Sequence, residues 1–283
     1  MKKFLLLSSV LLFLFVFTSC KSEVVESNDN IVDSNTDNGE NIYEIEIPFA
    51  YTYLPESDSY SVRYHSGAID SDFVIPSYYK GKPVTSIDER GFCDCSNGIK
   101  SLMFPESIQS IGYDAFAFCS NLETVIVNSY ICKGGNNDST LCEILGSYDN
   151  RSIKEIIIPE SVIEIGKYAF HGCYELKTIT MPEGVTSIGD SAFSLCKSLA
   201  SIAIPEGVTS IGDRTFLGCS SLTTITIPAS VTAVGYHAFD GCNELKEIKY
   251  GSTMADWKKI YFFESFEYRK FNVHCTDGSI TSE

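Results

Sequence analysis

Basic residues are scarce in this chain of 283 residues. Lys and Arg number 21 against 37 Asp and Glu, a formal charge of −16. Nucleic acid and anionic membrane surfaces both call for a basic patch, so this balance argues against either as a partner. Histidine is scarcer still: the chain has four, His65, His171, His237 and His274. Of these only His274 adjoins a second metal-type ligand, Cys275, and neighbours along a strand point to opposite faces. No metal site is read from them. Gly-x-Ser-x-Gly, a Walker-type loop and His-Glu-x-x-His are all absent, and no carboxylate pair stands out. Neither catalysis nor a cofactor is expected. Long apolar runs are lacking too. Phe4 to Phe17 is broken only by Ser8 and Ser9, and at about 14 residues it is too short for a stable membrane span.

That short run has the form of a targeting segment, with Lys2 and Lys3 before it and the small residues Thr18 and Ser19 after it. Phe17-Thr18-Ser19-Cys20 resembles a bacterial lipobox, although Phe17 stands where Leu is usual. The resemblance implies a lipoprotein signal peptide over 1–19 and a lipid on Cys20, through which alone the protein would touch a membrane. A plain secretory signal followed by an unrelated Cys is the alternative. Residues 20–41 are rich in Ser, Asn, Asp and Glu and read as a flexible acidic tether. Asp33, Asn35, Asp37 and Glu44 have the first, third, fifth and twelfth places of a calcium loop, but Gly39 is one place late and flanking helices are missing. The stretch is taken as linker.

A repeat dominates the remainder. Leu176, Ile179, Met181, Pro182, Val185, Ile188, Gly189, Phe193 and Cys196 recur as Leu199, Ile202, Ile204, Pro205, Val208, Ile211, Gly212, Phe216 and Cys219, and then once more. The prolines Pro159, Pro182, Pro205 and Pro228 are spaced by 23 residues. A period of this length marks a stacked array in which each unit buries its neighbour's apolar side. Ile179 and Met181 alternate with Thr178 and Thr180, as in a short strand. Proline then ends the strand, because it has no N–H to give, and the glycine after Ile is expected to turn with φ > 0. The pattern predicts a leucine-rich-repeat solenoid, with a curved, short-stranded parallel β-sheet and a turn-rich convex side.

In order, 42–70 alternates like an N-terminal β-hairpin cap and 71–251 holds the repeats. An insertion at 129–152 interrupts them, and Asn128 stands where Pro is expected. The insertion is expected to project from the solenoid. Residues 252–278 form a small α+β C-terminal cap, with Thr253 as helix N-cap, Trp257 as anchor and Phe271 to Cys275 as closing strand. The tail after Gly278 is read as loose.

The phrase Ile-Pro-x-x-Val-Thr-x-Ile-Gly-x-x-Ala-Phe-x-x-Cys-x-x-Leu resembles the BspA-type leucine-rich-repeat proteins of bacterial surfaces. The match runs from about residue 60 to 278 and includes the opening Val74 to Val84 and the close Tyr250 to Thr253, Trp257 and Val273 to Gly278. It implies a surface or secreted solenoid without catalysis, often an adhesin for host matrix proteins or other bacteria. The family has no fixed binding residues to transfer.

Cys95, Cys119, Cys173, Cys196, Cys219 and Cys242 share one repeat position. A column of like-pointing side chains does not give the facing geometry of a disulfide, so reduced, buried thiols are expected. Cys132 and Cys142 bracket a glycine-rich loop, where a disulfide could pin the insertion. Cys93 is read as exposed. Outward-facing strand residues make the candidate binding face: Met103, Thr124, Ile126, Glu155, Ile157, Thr178, Thr180, Thr224 and Thr226. They are either plain β-favouring surface or a contact face for a protein or glycan ligand, host extracellular matrix among the candidates. The chain is thus read as a monomeric, lipid-anchored protein of the bacterial cell envelope, at the outer membrane or cell surface. It would act there as a surface adhesin or antigen, a scaffold binding through the strand face and the 129–152 loop. A periplasm-facing structural envelope protein without a host ligand is the alternative.

Overall fold

The computed structural model describes residues 43–46, 48–66, 71–93, 98–134, 141, 145, 152–263 and 271–281. The targeting segment and tether, with Cys20, lie outside the described residues, as do Cys95 and Cys142.

An antiparallel trio opens the fold: β1 (Tyr43–Glu46), β2 (Phe49–Leu54) and β3 (Ser59–Tyr64). The later coils that keep the repeat give one strand to a first row and one to a second. The early coils supply β4 (Asp72–Val74), β5 (Tyr78–Tyr79), β6 (Lys82–Ile87), β7 (Ser101–Met103), β8 (Ser110–Ile111) and β9 (Thr124–Ile126). A short helix, α1 (Ser129–Cys132), precedes β10 (Glu155–Ile157), β11 (Glu164–Ile165), β12 (Thr178–Thr180) and β13 (Ser187–Ile188). Next come β14 (Ser201–Ala203), β15 (Ser210–Ile211), β16 (Thr224–Ile227), β17 (Ala233–Val234) and β18 (Glu247–Tyr250). The chain closes with α2 (Met254–Trp257), β19 (Tyr261–Phe262), β20 (Asn272–Cys275) and β21 (Gly278–Ile280).

First-row strands pair in the orders β4-β7-β9-β10-β12 and β14-β16-β18-β20-β21. All these pairings are parallel except β20 with β21. The register repeats the sequence period, with Thr224 opposite both Ser201 and Glu247. The expected turn-rich return arm proves to contain a second row of short parallel strands, in the groups β6-β8, β11-β13 and β15-β17-β19. Their Ile, Val or aromatic residues favour extended backbone, and stacking supplies each strand a hydrogen-bonding neighbour.

The reason for the repeat glycine differs from the expectation. Positive φ falls two residues later, on Arg90, Asp114, Tyr168, Ser191, Arg214 and His237, and again just before the repeat cysteine, on Phe118, Leu195, Gly172, Gly218 and Gly241. The glycine after Ile is needed for close approach between coils. A Cβ on Gly112 would lie 2.3 Å from Glu89 N, and one on Gly189 would lie 2.5 Å from Lys167 N.

Two columns run through the core. Phe92 and Phe116 stack with ring centroids 5.1 Å apart, and Phe193, Phe216 and Phe239 follow at 5.7 and 5.5 Å. Beside them the cysteines form the expected column of reduced thiols: Cys119, Cys173, Cys196, Cys219 and Cys242 are all buried. Where the preceding coil holds a phenylalanine, the Sγ–H reaches back to its carbonyl. Cys196 donates to Phe170 O at 3.3 Å, and Cys219 and Cys242 donate to Phe193 O and Phe216 O at 3.1 Å each. The position therefore asks for a small residue with a weak donor, which cysteine supplies. Cys93, expected to be exposed, is buried beside the same column.

The irregular coil after β9 is also corrected. Ile131, Cys132, Leu141 and Leu145 are fully buried, so these residues of the insertion do not project. Leu141 N donates to Ala169 O as Phe170 N donates to Ala192 O. Gly166 N donates to Cys132 O as Gly189 N donates to Ile165 O. Leu141 thus takes a phenylalanine slot and Cys132 an isoleucine slot. Cys132 is a thiol facing the core, and Cys142, the partner suggested for it, lies outside the described residues. Asn128, standing for Pro, is buried. Its Nδ2 donates to Pro105 O at 2.8 Å and Ile108 O at 3.1 Å, while its Oδ1 accepts from Ile131 N to cap α1.

At the amino end the cap is three strands, not a lone hairpin, and β3 joins β6 of the second row in parallel. Phe49 packs 5.8 Å from Phe73, which packs 5.4 Å from Phe92, so the cap closes the phenylalanine column. At the carboxyl end Thr253 caps α2 through Asp256 N, and the buried Trp257 packs against Tyr250 and Phe262. Val273 pairs with Ile248, continuing the first row. Of the tail expected to be loose, Ser279 and Ile280 instead belong to β21, antiparallel to β20.

Candidate interaction surface

Parallel pairing in one register aligns like positions of successive coils, so the outer face of the first row consists of straight lines of side chains. Its alternation is the expected one: Ile156, Ile179, Ile202, Ile225 and Ile248 are buried, and the residues on either side of each turn outward. Glu155, Thr178, Thr180, Ser201, Ala203, Thr226 and Lys249 are exposed, and Thr124 and Thr224 are half-buried. Ser101 departs from the pattern. It is buried and donates to Asp72 Oδ1 at 2.6 Å.

One line changes character along its length. Val74, Met103, Ile126 and Ile157 are opposite one another in turn on β4, β7, β9 and β10. The line continues with Thr180 on β12 and, in the next group of strands, with Ala203, Thr226 and Lys249. Met103, Ile126 and Ile157 are half-buried by their neighbours, and Val74 is 38% exposed. Sequence reasoning missed Val74, although its place two residues before Pro76 matches that of Met103 before Pro105.

Charge borders this apolar line on both sides. Lys100, Lys154 and Lys177 immediately precede β7, β10 and β12 and are exposed. Among them stands Glu123, whose Oε1 takes a hydrogen bond from Lys154 Nζ at 2.6 Å. That bond, helped by the charges of Lys100 and Lys177, holds the Glu123 carboxyl below its usual range. At the other ends of the strands Glu106, Glu160, Glu183 and Glu206 follow Pro105, Pro159, Pro182 and Pro205, all exposed. Glu106 ties this border together, accepting from Ser129 N at 3.2 Å and Ser161 Oγ at 2.8 Å.

The largest exposed apolar side chains lie elsewhere. Tyr113 is 74% exposed, and an exposed trio near the carboxyl end brings Phe263 within 5.2 Å of Tyr236 and 4.8 Å of Tyr261. No group of three or more His, Cys, Asp or Glu that could hold a metal ion occurs among the described residues. Among the same residues no helix is long and apolar enough to cross a membrane.

A family model described as "BspA type Leucine rich repeat region" matches this chain in 6 copies over residues 71–143 and 145–268. Among solved structures, a leucine-rich repeat protein of T. pallidum is 25% identical, with 70% of this chain and 88% of that chain covered and a TM-score of 0.47. One from Bacteroides ovatus is 24% identical over 77% of this chain and 66% of that one, with a TM-score of 0.44. The pneumococcal vaccine antigen PcpA is 16% identical over 82% and 93%, with a TM-score of 0.34. No curated protein matches.

Proposed function

The chain belongs to the BspA-type leucine-rich repeat family, and from that premise we propose that it is a non-catalytic interaction scaffold of the bacterial cell envelope, an adhesin that binds a protein or glycan ligand through the outer face of its first strand row. The observation that carries this reading is the line Val74, Met103, Ile126 and Ile157, apolar side chains held in register on four neighbouring strands with charge on either side. A monomeric protein has little reason to keep such a line in contact with water unless something covers it. Repeat stacking also fixes the spacing of the contacts before any ligand arrives, which lowers the entropy lost on binding. The lipobox-like Phe17-Thr18-Ser19-Cys20 supports attachment by a lipid on Cys20, and the acidic chain supports a protein or glycan partner over nucleic acid. The 129–152 segment is assigned a lesser part, because Ile131, Cys132, Leu141 and Leu145 are committed to the core.

Full-length protein carrying Ile126→Glu and Ile157→Glu should lose at least tenfold in binding to immobilised host extracellular matrix, with its unfolding midpoint little changed. Equal binding by the variant would rule the face out as the adhesive surface. The second reading, a structural protein facing the periplasm, rests on the same lipobox. Protease treatment of intact cells separates the two, since a surface protein is cut and a periplasmic one is spared.

A further inference from the structure

The apolar line has a direction, a pitch and a polarity, and together these specify more than a contact face. It runs across the strands, along the stacking direction, with one side chain per coil. Strands repeat at about 4.8 Å, and an α-helix repeats at about 5.4 Å per turn. Four apolar side chains, one per helical turn, can therefore meet four successive strands with a mismatch of only about 0.6 Å per step. An extended peptide laid the same way advances about 6.6 Å between side chains on one face, and it loses register after two contacts.

Charge beside these four strands then orients such a helix. Where they begin, Lys100 and Lys154 stand with Glu123, and the exposed Asp72 and Glu155 lie between them and the apolar line, so that side is of mixed sign. Glu106 and Glu160 line the side where the strands end. From β12 onward the line is Thr180, Ala203, Thr226 and Lys249, so the run of large apolar side chains stops after four coils.

Resting on the proposed function above, we infer that the amino-terminal half of the face takes an amphipathic α-helix of a protein partner, about four turns long and lying along the solenoid axis. Its apolar stripe covers Val74, Met103, Ile126 and Ile157. A basic flank faces the glutamate border, and a polar flank faces the side of mixed sign. Apolar contact supplies the affinity, and the basic flank chooses the direction in which the helix lies.

The test is selection from a displayed library of random peptides of about sixteen residues, four helical turns, against the full-length chain. The enriched peptides are then measured against variants by fluorescence anisotropy. The expected consensus spaces apolar residues by three and four, with Lys or Arg on one flank. Its affinity should fall at least tenfold on Ile126→Glu. Reversing the charge of that flank in the peptide should weaken binding several-fold. Thr180→Ile lengthens the line by one strand without touching the core and should favour peptides with one further apolar turn. Peptides with period-two patterns that still lose binding on Ile126→Glu would overturn the helix and leave the face as the binding surface. Peptides indifferent to Ile126→Glu would overturn both. Failure to enrich any peptide, or enrichment confined to glycan-like mimics rich in aromatics, would also overturn the helix.

Discussion

In the coil that carries Phe193, one phenylalanine fills the central slot, Ile188 fills the second-row slot and Pro182 ends the strand, all as the repeat dictates. Between Asn128 and Ile153 the corresponding positions are held by Leu141, Cys132 and Asn128, brought there over a longer stretch of chain with a helical turn in it. Phe193 and Leu141 both donate their N–H to the next coil, at Thr215 O and Ala169 O, and both coils bury their slot residues. A coil is thus defined by what its neighbours require of it: an apolar volume at fixed heights and backbone donors at fixed places. The 23-residue phrase is one way to meet that demand. It can be abandoned in a single coil if a longer segment finds another way, because each coil answers only to the two beside it.

Removing the slot residues tests this equivalence most severely. Phe193→Ala should cost about 3–5 kcal/mol, and Leu141→Ala about 2–5 kcal/mol, in equilibrium urea unfolding. A near-zero cost at Leu141 would mean that the irregular coil projects after all. The next effect concerns coil-to-coil approach. Gly189→Ala places a methyl 2.5 Å from Lys167 N, and overpacking of this kind costs about 1–3 kcal/mol. At Gly184 the nearest atom to a new Cβ is 3.9 Å away, so Gly184→Ala should be neutral or stabilise by up to about 1 kcal/mol. Equal costs at the two glycines would show that backbone freedom, and not contact, is what the repeat conserves in shape. At Asn128 the irregular coil has its own solution. Asn128→Ala takes the Nδ2 donor from buried Ile108 O, leaves Pro105 O with Ile108 N alone and uncaps α1, a loss of about 1–3 kcal/mol. Asn128→Pro restores the repeat residue and should still destabilise, since proline supplies none of those bonds.

Much of the fold was legible in the sequence, and the reason is the period. Strand positions, the inward and outward alternation of Ile179, Thr178 and Thr180, the buried thiol column and the Thr253 cap all follow from spacing alone. The second strand row was not legible, because two residues such as Ser187–Ile188 carry no alternation; only stacking makes them strands. The role of Gly189 was misread because close approach and positive φ both select glycine, and a sequence does not separate them. Leu141 and Cys132 were hidden by the glycine-rich run between them, which reads as loop although its flanks are core. On the face, Ile126 and Ile157 were identified and Val74 was missed. The charged borders were overlooked because each lies at strand ends, one residue per coil, and becomes a row only when the coils are stacked.

The smallest effect concerns the thiols that regular and irregular coils both bury. Burial, with a lesser contribution from neighbouring Cys93, pushes the Cys119 thiol from 9.0 up to about 12. Burial raises Cys132 as well, and Cys219 is raised first by its hydrogen bond with Cys242 and then by burial. In the unfolded chain these thiols ionise near the ordinary value, while in the fold they stay neutral. The unfolded state therefore releases protons first as pH rises. The stability each thiol lends is fully present below about pH 9 and is lost as pH climbs toward the folded value. Unfolding free energy should decline between pH 9 and 11, and Cys119→Ala should decline less steeply than the parent. Half-buried Cys275 should be alkylated by iodoacetamide in the folded protein, while Cys119, Cys132 and Cys219 react only after unfolding. Were Cys132 to react as fast as Cys275, it would not be facing the core, and the likeness between the irregular coil and its regular neighbours would fail at that slot.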